Sequence, residues 1–433
     1  MVITGKRCRL AAVLVMVAGV CLGACSDGAG TTASDFSGPT KGEHITVVLP
    51  SYSKLSDEML ARFQRETGVS VSINLASWDE IHSRIGTAGI AEEAIGDVTE
   101  VDWSWIGQLT ASGWYEPLDT ALDRAVRDDL RDNGAFTHDG HRYAACYSNV
   151  ARIGVYNSEM FAEAGIAHPP ATFEELASDL ARIKALRVSE YPMALTLSAT
   201  QGAATEWELL MVSMGGRLVD DSGRAAFRGS ESAGYKALRF EVDAIKNGLA
   251  EPGSVSNNDQ RTDALLSSGR TAVQLAGYPG ELTALNDPKQ STVLNQTAYF
   301  LEPGINGPGA TFGLPEGLGI PVASRHKAAA AVFINWMMRP DNQRALFAAT
   351  GQMPCGASAA SALLASGTVA GGPVIQQQLA RSVPLFANGC PGWFPSFTNE
   401  VAADVNAAAT GNATVDEAIG RMADKLDQLA NEQ

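Results

Sequence analysis

Few residue patterns in this chain could hold a metal or break a bond, and their spacing argues against both. His138 and His141 have the His-x-x-His spacing of a metal pair, but they bracket Asp139-Gly140, a turn signal, and have no third ligand nearby. They are expected to be surface turn residues, with no metal. Asp220-Asp221 and Glu92-Glu93 read as solvated loops or helix faces. A glycosidase needs two carboxylates set across one bond; spacing alone leaves that as a lesser alternative. There is no Gly-x-Ser-x-Gly elbow, no Gly-x-x-x-x-Gly-Lys phosphate loop and no His-Glu-x-x-His helix. Gly317-x-Gly319 follows no clear strand and lacks the third glycine of a dinucleotide site. The expectation is neither an enzyme nor a cofactor. What remains is the chemistry of aromatic rings, which stack on apolar faces while planar polar side chains satisfy hydroxyls.

Charge narrows the partners. The formal net charge of the 433 residues is −16, and the first 24 carry Lys6, Arg7 and Arg9 with no acid, so their removal would leave −19. Phosphate neutralisation needs clustered Lys and Arg, so no nucleic acid is expected. Those three cations precede an apolar run, 10–22, too short to span a bilayer as a typical helix. The run ends in Leu22-Gly23-Ala24-Cys25, which resembles the bacterial lipobox. Residues 1–24 are therefore expected to be a lipoprotein signal peptide, with Cys25 lipidated. Residues 25–42, rich in Gly, Ser, Thr and Asp, would be a flexible tether. The folded part would sit outside the cytoplasm, held to the outer face of the membrane by lipid alone. Export permits disulfides. Of Cys146, Cys355 and Cys390, the last two share Gly/Pro loop sequence and are the expected pair; Cys146 lies in an apparent strand and reads as a small buried hydrophobe.

Strands and helices alternate along the folded part. Residues 44–50 form a β-branched strand, and 56–66 a helix with Ser56 as N-cap and Gly68 as its stop. Residues 69–75 alternate with period two, 78–85 restart a helix, and 97–102 form a third strand ending in Trp103-Ser104-Trp105. Such alternation implies a parallel sheet flanked by helices, with ligands bound beyond the carboxyl ends of the strands. A long run over 142–156 and a helix over 157–165 follow. Thr172 and Glu175 then have the spacing of a capping box. Residues 302–319, heavy in Gly and Pro, suit a crossover between domains; 320–323 are strand-like, and 326–338 a helix.

Five ordered stretches carry a resemblance: FQRETGVSVSI, DVTEVDWSWIGQLTASGWYEPLD, DGHRYAACYSNVARIGVYNSEMFAEAGI, PATFEELASDLARIKA and GLGIPVASRHKAAAAVFINWMMRPDNQRALFAATGQMP. Together they resemble the extracellular solute-binding proteins of ABC importers, in the sugar-binding group that includes maltodextrin-binding protein. One departure is Ala144-Ala145-Cys146-Tyr147, where that family often reads Gly-Val-Pro-Tyr. The resemblance implies an α/β, two-lobed periplasmic-binding-protein-like fold of type II, with a ligand cleft between lobes joined by crossing strands. Lobe 1 would hold 43–149 with 311–352, and lobe 2 would hold 150–310 with 353–433. The implied function is carriage of a small solute, most simply a mono- or oligosaccharide, to the transmembrane subunits of a permease by a monomer. Glycerol-phosphate derivatives, amino-sugars and polyamines are the other solutes, and a scaffolding lipoprotein is the remaining class. Tyr52, Trp103, Trp105, Tyr147, Trp207, Tyr278 and Trp393 would line the cleft, with Asp102, Asn149 and Glu206 bonding hydroxyls. Trp78 and Trp336 fall on helix faces and read as core. Anionic solutes want Arg clusters, and only Arg152 is near.

Overall fold

The computed structural model describes residues 36–432 except 133, 387 and 388. The expected signal peptide, lipidated Cys25 and nearly all of the tether lie outside the described residues.

Eleven strands are present among the described residues: β1 His44–Pro50, β2 Ser70–Ala76, β3 Val98–Asp102, β4 Thr137–His138, β5 His141–Arg142, β6 Ala145–Ala151, β7 Ile153–Asn157, β8 Met193–Ala194, β9 Val273–Gly277, β10 Thr297–Phe300 and β11 Gly313–Gly319. They build two separate sheets, ordered β2-β1-β3-β11-β6 and β10-β7-β9-β8, plus the small hairpin β4-β5. In the first sheet β1 runs parallel to β2 and β3, while β11 is antiparallel to both β3 and β6. In the second, β7 is antiparallel to β9 and β10, and β8 is parallel to β9. Helices cover both, giving two α/β lobes. The chain crosses from β6 to β7 through the single residue Arg152, and returns from β10 to β11 over 301–312.

Local sequence explains much of this. The helix Asp57–Thr67 opens with Ser56 accepting from Met59 N and closes on Gly68, whose φ of 76° few other residues tolerate. Thr172 caps the helix Phe173–Ala185 as expected, but Glu175 bonds Ala171 N instead of closing the box. The complete capping box is at Thr414 and Glu417, opening Val415–Asn431.

Two expectations are corrected. Residues 313–319 are not an irregular crossover but β11, a central strand, and 320–323 form no strand. GLPEGLG has little β propensity, yet it is in place because its glycines admit close neighbours. A Cβ on Gly317 would meet Ala144 and Phe136 at about 2.9 Å, and one on Gly319 would meet Val101 at 2.7 Å. The disulfide is Cys146–Cys355, with Cα atoms 5.7 Å apart, and Cys390 is a buried free thiol. The segment after the helix Pro340–Thr350 runs beside β6, where Asn149 N donates to Met353 O at 2.9 Å, so Cys355 arrives at Cys146. Cys390 instead packs under the turn after β3, its Sγ 3.5 Å from Ser104 O. Shared loop character did not identify partners; strand register did.

Candidate functional site

The strand directions place the site. β1, β2, β3 and β6 all end at one edge of the first sheet, where β11 begins. Tyr52, Trp78, Asp102, Trp103, Asn149 and Glu316 lie at that edge. In the second sheet β8, β9 and β10 end where β7 starts, bringing Thr196, Tyr278 and Glu302 to the matching edge. Arg152, the whole of the first crossing, sits between the two.

A pocket opens at the first edge, lined by Trp103, Asn149, Pro315, Val383, Phe386 and Cys390 among others. Trp103 is 8% exposed and braced by Phe394 and Phe312, with ring centroids 5.3 and 6.3 Å away. Trp393 is half-buried and edge-on to Phe386 at 5.7 Å. Asn149 Oδ1 is buried with no hydrogen-bond partner among the described residues, an acceptor left for something else to satisfy.

Beside the pocket lies a hydrogen-bonded carboxyl cluster. Tyr52 Oη donates to Glu316 Oε1 at 2.5 Å, and Gln352 Nε2 donates to Glu316 Oε2 at 2.7 Å. Ser53 Oγ donates to Gln352 Oε1 at 3.0 Å and lies 3.0 Å from Tyr147 Oη, which donates to Glu100 Oε2 at 2.8 Å. Asp102 accepts from Ser104 N at 2.8 Å and from Trp78 Nε1 at 3.2 Å. Burial raises the Asp102 carboxyl to about 6 even against those hydrogen bonds, and raises Glu316 to about 7. Glu100 is pushed well up by burial and by the charge of Glu316. Ser53, Glu100, Glu316 and Gln352 were not among the expected site residues. An acid between Val98 and Val101 in a buried strand was the available signal for Glu100; Glu316 was hidden in the Gly/Pro stretch.

The expected residues divide. Tyr52, Asp102, Trp103, Tyr147 and Asn149 gather at the first edge, and Trp393 joins through Phe386. Tyr278 stands half-buried at the second edge, its carbonyl accepting from Tyr299 Oη at 2.7 Å. Arg152 Nη1 donates to Ala276 O at 2.8 Å nearby. Trp105 does not reach the pocket: it is fully buried, stacked on His82 at 4.6 Å and against Trp78 at 4.7 Å. Trp207 does not either. It is buried in the second lobe, donating to Gly234 O at 2.9 Å with Phe227 edge-on at 5.1 Å. Glu206, the preceding residue, is buried too, accepting from Thr196 N at 2.8 Å, with Oε1 unpartnered among the described residues. Trp78 packs half-buried against the core and Trp105, as its helix face implied, while its Nε1 donates to Asp102 Oδ2 at 3.2 Å. Trp336 is core, as its helix face implied. His138 and His141 pair across the β4-β5 hairpin, and no cluster of three metal-type ligands occurs among the described residues.

A family model described as bacterial extracellular solute-binding protein matches residues 48–344. A mannitol-binding protein of Pseudomonas aeruginosa is 31% identical over 238 residues, 52% of this chain and 52% of its own. The chain spans about half the length of the curated relatives it matches. Among solved structures, an ABC transporter solute-binding protein of Thermotoga lettingae bound with α-D-tagatose superposes with a TM-score of 0.79 at 20% identity, covering 90% of this chain and 100% of that one. One from Agrobacterium vitis with bound D-mannitol gives 0.74 at 21%, covering 90% and 99%. At those identities the likeness concerns the fold, and it is the two-lobed fold built above. The family match spans both sheets and the crossing at Arg152: this chain belongs to the bacterial extracellular solute-binding proteins.

Proposed function

We propose that the protein captures a carbohydrate, as a sugar or polyol, between its two lobes and hands it to the permease of an ABC importer. The observation that carries this is the Trp103–Asn149 pocket at the carboxyl edge of the first sheet, a braced ring beside an unsatisfied amide oxygen. The mannitol- and tagatose-binding proteins above support it by kinship and fold. In this reading Tyr52, Trp103, Tyr278 and Trp393 stack on the solute, while Asp102 and Asn149 bond its hydroxyls. The lobes follow the crossings, 43–149 with 311–352 against 150–310 with 353–433. The protein works as a monomer, tethered through a lipidated Cys25.

Acids crowd both edges, and Arg152 is the cation between them. That weighs against anionic solutes such as glycerol-phosphate derivatives and supports, as a second reading, a protonated amino-sugar. A thermal-shift screen of sugars, polyols, amino-sugars and polyamines separates the two. A solute at 100 times its dissociation constant should add about 2.7 kcal/mol of stability. If only polyamines shift the melt, the carbohydrate reading is wrong.

Trp103→Ala should weaken binding of whatever the screen returns by about thirtyfold, the ~2 kcal/mol typical of a desolvated aromatic anchor. Calorimetry checks it, with melting curves as control. Unchanged affinity places the solute elsewhere. Cys25→Ala should move the protein from the membrane fraction to the culture fluid, since acyl chains are the only anchor proposed. A variant that still partitions into detergent contradicts the tether.

A further inference from the structure

Tyr52 is inverted for a tyrosine at a protein surface. Boundary tyrosines ordinarily bury the ring and leave the hydroxyl in water. Here the residue is 50% exposed while its hydroxyl is turned inward onto Glu316 Oε1 at 2.5 Å. An aromatic face held out in water gains nothing from the hydrophobic effect until something apolar covers it. We infer that Glu316 is a positioning residue for the solute: through the Tyr52 hydroxyl it holds that ring at the cleft edge as a preformed stacking platform, and its protonation loosens the platform. This rests on the carbohydrate reading and deepens it to pyranoses, whose rings present a flat apolar face that an open-chain polyol lacks.

Glu316 is fixed from two sides. Tyr52 donates to one oxygen and Gln352 to the other at 2.7 Å, while Gln352 is itself held by Ser53 at 3.0 Å. Two donors, one on each oxygen, bind an ionised carboxylate more strongly than a carboxylic acid. The groups facing it are Glu100 and Asp102 from β3, Tyr147 from β6 with its hydroxyl 3.4 Å from Oε2, Tyr52 from the turn after β1, and Arg152 at the crossing. Glu100 has an unpartnered Oε1 and is driven toward its neutral form by burial and by Glu316. Of the two, Glu100 is therefore the one driven further toward its neutral form, which favours the charge on Glu316. Glu316 is raised by burial to about 7. Below that pH the charge-assisted bond from Tyr52 weakens to one between neutral groups, the ring is held less firmly, and more of the entropy of ordering it is charged to binding.

The test has a ligand-free arm and a ligand arm. With 3-fluorotyrosine incorporated, the fluorine resonance of Tyr52, assigned from Tyr52→Phe, should follow one titration near pH 7 in the parent and stay fixed in Glu316→Gln. Calorimetry with glucose, galactose, mannose, maltose and D-mannitol then reads affinity at pH 8 and pH 6. A pyranose should bind roughly fivefold more weakly at pH 6 in the parent. Glu316→Gln and Tyr52→Phe should lose that pH dependence, each binding at both pH values as the parent does at pH 6, with the double variant no worse than either. Should Glu316→Gln fail to fold, Tyr52→Phe carries the same comparison. A Tyr52 resonance blind to Glu316→Gln, a pH dependence that survives it, or D-mannitol preferred over every pyranose overturns the inference while the carbohydrate reading stands. No heat from any of the five overturns that reading, and the platform with it.

Discussion

The melting temperature is expected to fall as pH rises from 5 to 8.5, and Glu206→Gln should flatten that fall. Glu206, Glu281 and Glu302 are each raised by burial to about 8, where an unfolded glutamate titrates near 4.3. The folded state thus holds protons between those values that the unfolded chain has released. Stability from such a group is fully present below about 4.3 and is lost as pH climbs through 8. One group shifted this far is worth about 5 kcal/mol across the window. For 433 residues that is about 5 °C of melting temperature. A glutamine at 206 keeps an acceptor for Thr196 N but buries an amide group where Glu206 Oε1 has no partner among the described residues, costing about 1–3 kcal/mol at pH 5. The slope, not the level, is therefore the readout. Scanning calorimetry of parent and variant at four pH values decides it. Equal slopes would mean that the Glu206 carboxylate reaches water, restoring the cleft role its sequence position suggested.

How much of this was legible in the sequence varies by element. β1, β2 and β3 announce themselves through β-branched runs and capped helices between them, because each is specified by its own residues. β11 does not. Its three glycines and proline deny it propensity, and it exists because β3 and β6 offer edges that only small residues can approach. The site fails in the same way. Trp103 and Trp105 sit two apart in one short turn, and only packing decides that the first lines the pocket while the second stacks on His82. The helix Gln201–Ser213 is buried nearly all round, so no periodicity marks a solvent face and Trp207 could not be told from a cleft ring. Glu316 was invisible for a different reason. Its meaning lies in Tyr52 and Gln352, which are far from it in sequence and meet it only through the register of β11.

Replacing both Cys146 and Cys355 with serine is expected to cost most of the stability a long loop closure can supply. The bridge spans 209 residues of sequence. Chain-entropy arguments assign about 5 kcal/mol to a loop of that length, and measured bridges commonly return about 2–4. Removing both sulfurs avoids leaving a reactive thiol beside β6. The backbone bonds that hold the same segment, Asn149 N to Met353 O at 2.9 Å and Arg131 N to Cys355 O at 3.1 Å, remain in the variant. The double variant should therefore fold, melt about 3–6 °C lower, and bind solute within about twofold of the parent, because neither sulfur lines the Trp103 pocket. Cys390 supplies an internal control. As a buried free thiol under the turn after β3, it should resist a thiol reagent until the protein is unfolded. Mass spectrometry of a non-reduced digest of the parent should join the peptides holding Cys146 and Cys355. A linked peptide holding Cys390, or a melting temperature unchanged in the double variant, would show that the strand register placing Cys355 beside β6 is wrong, and with it the position of Gln352 against Glu316.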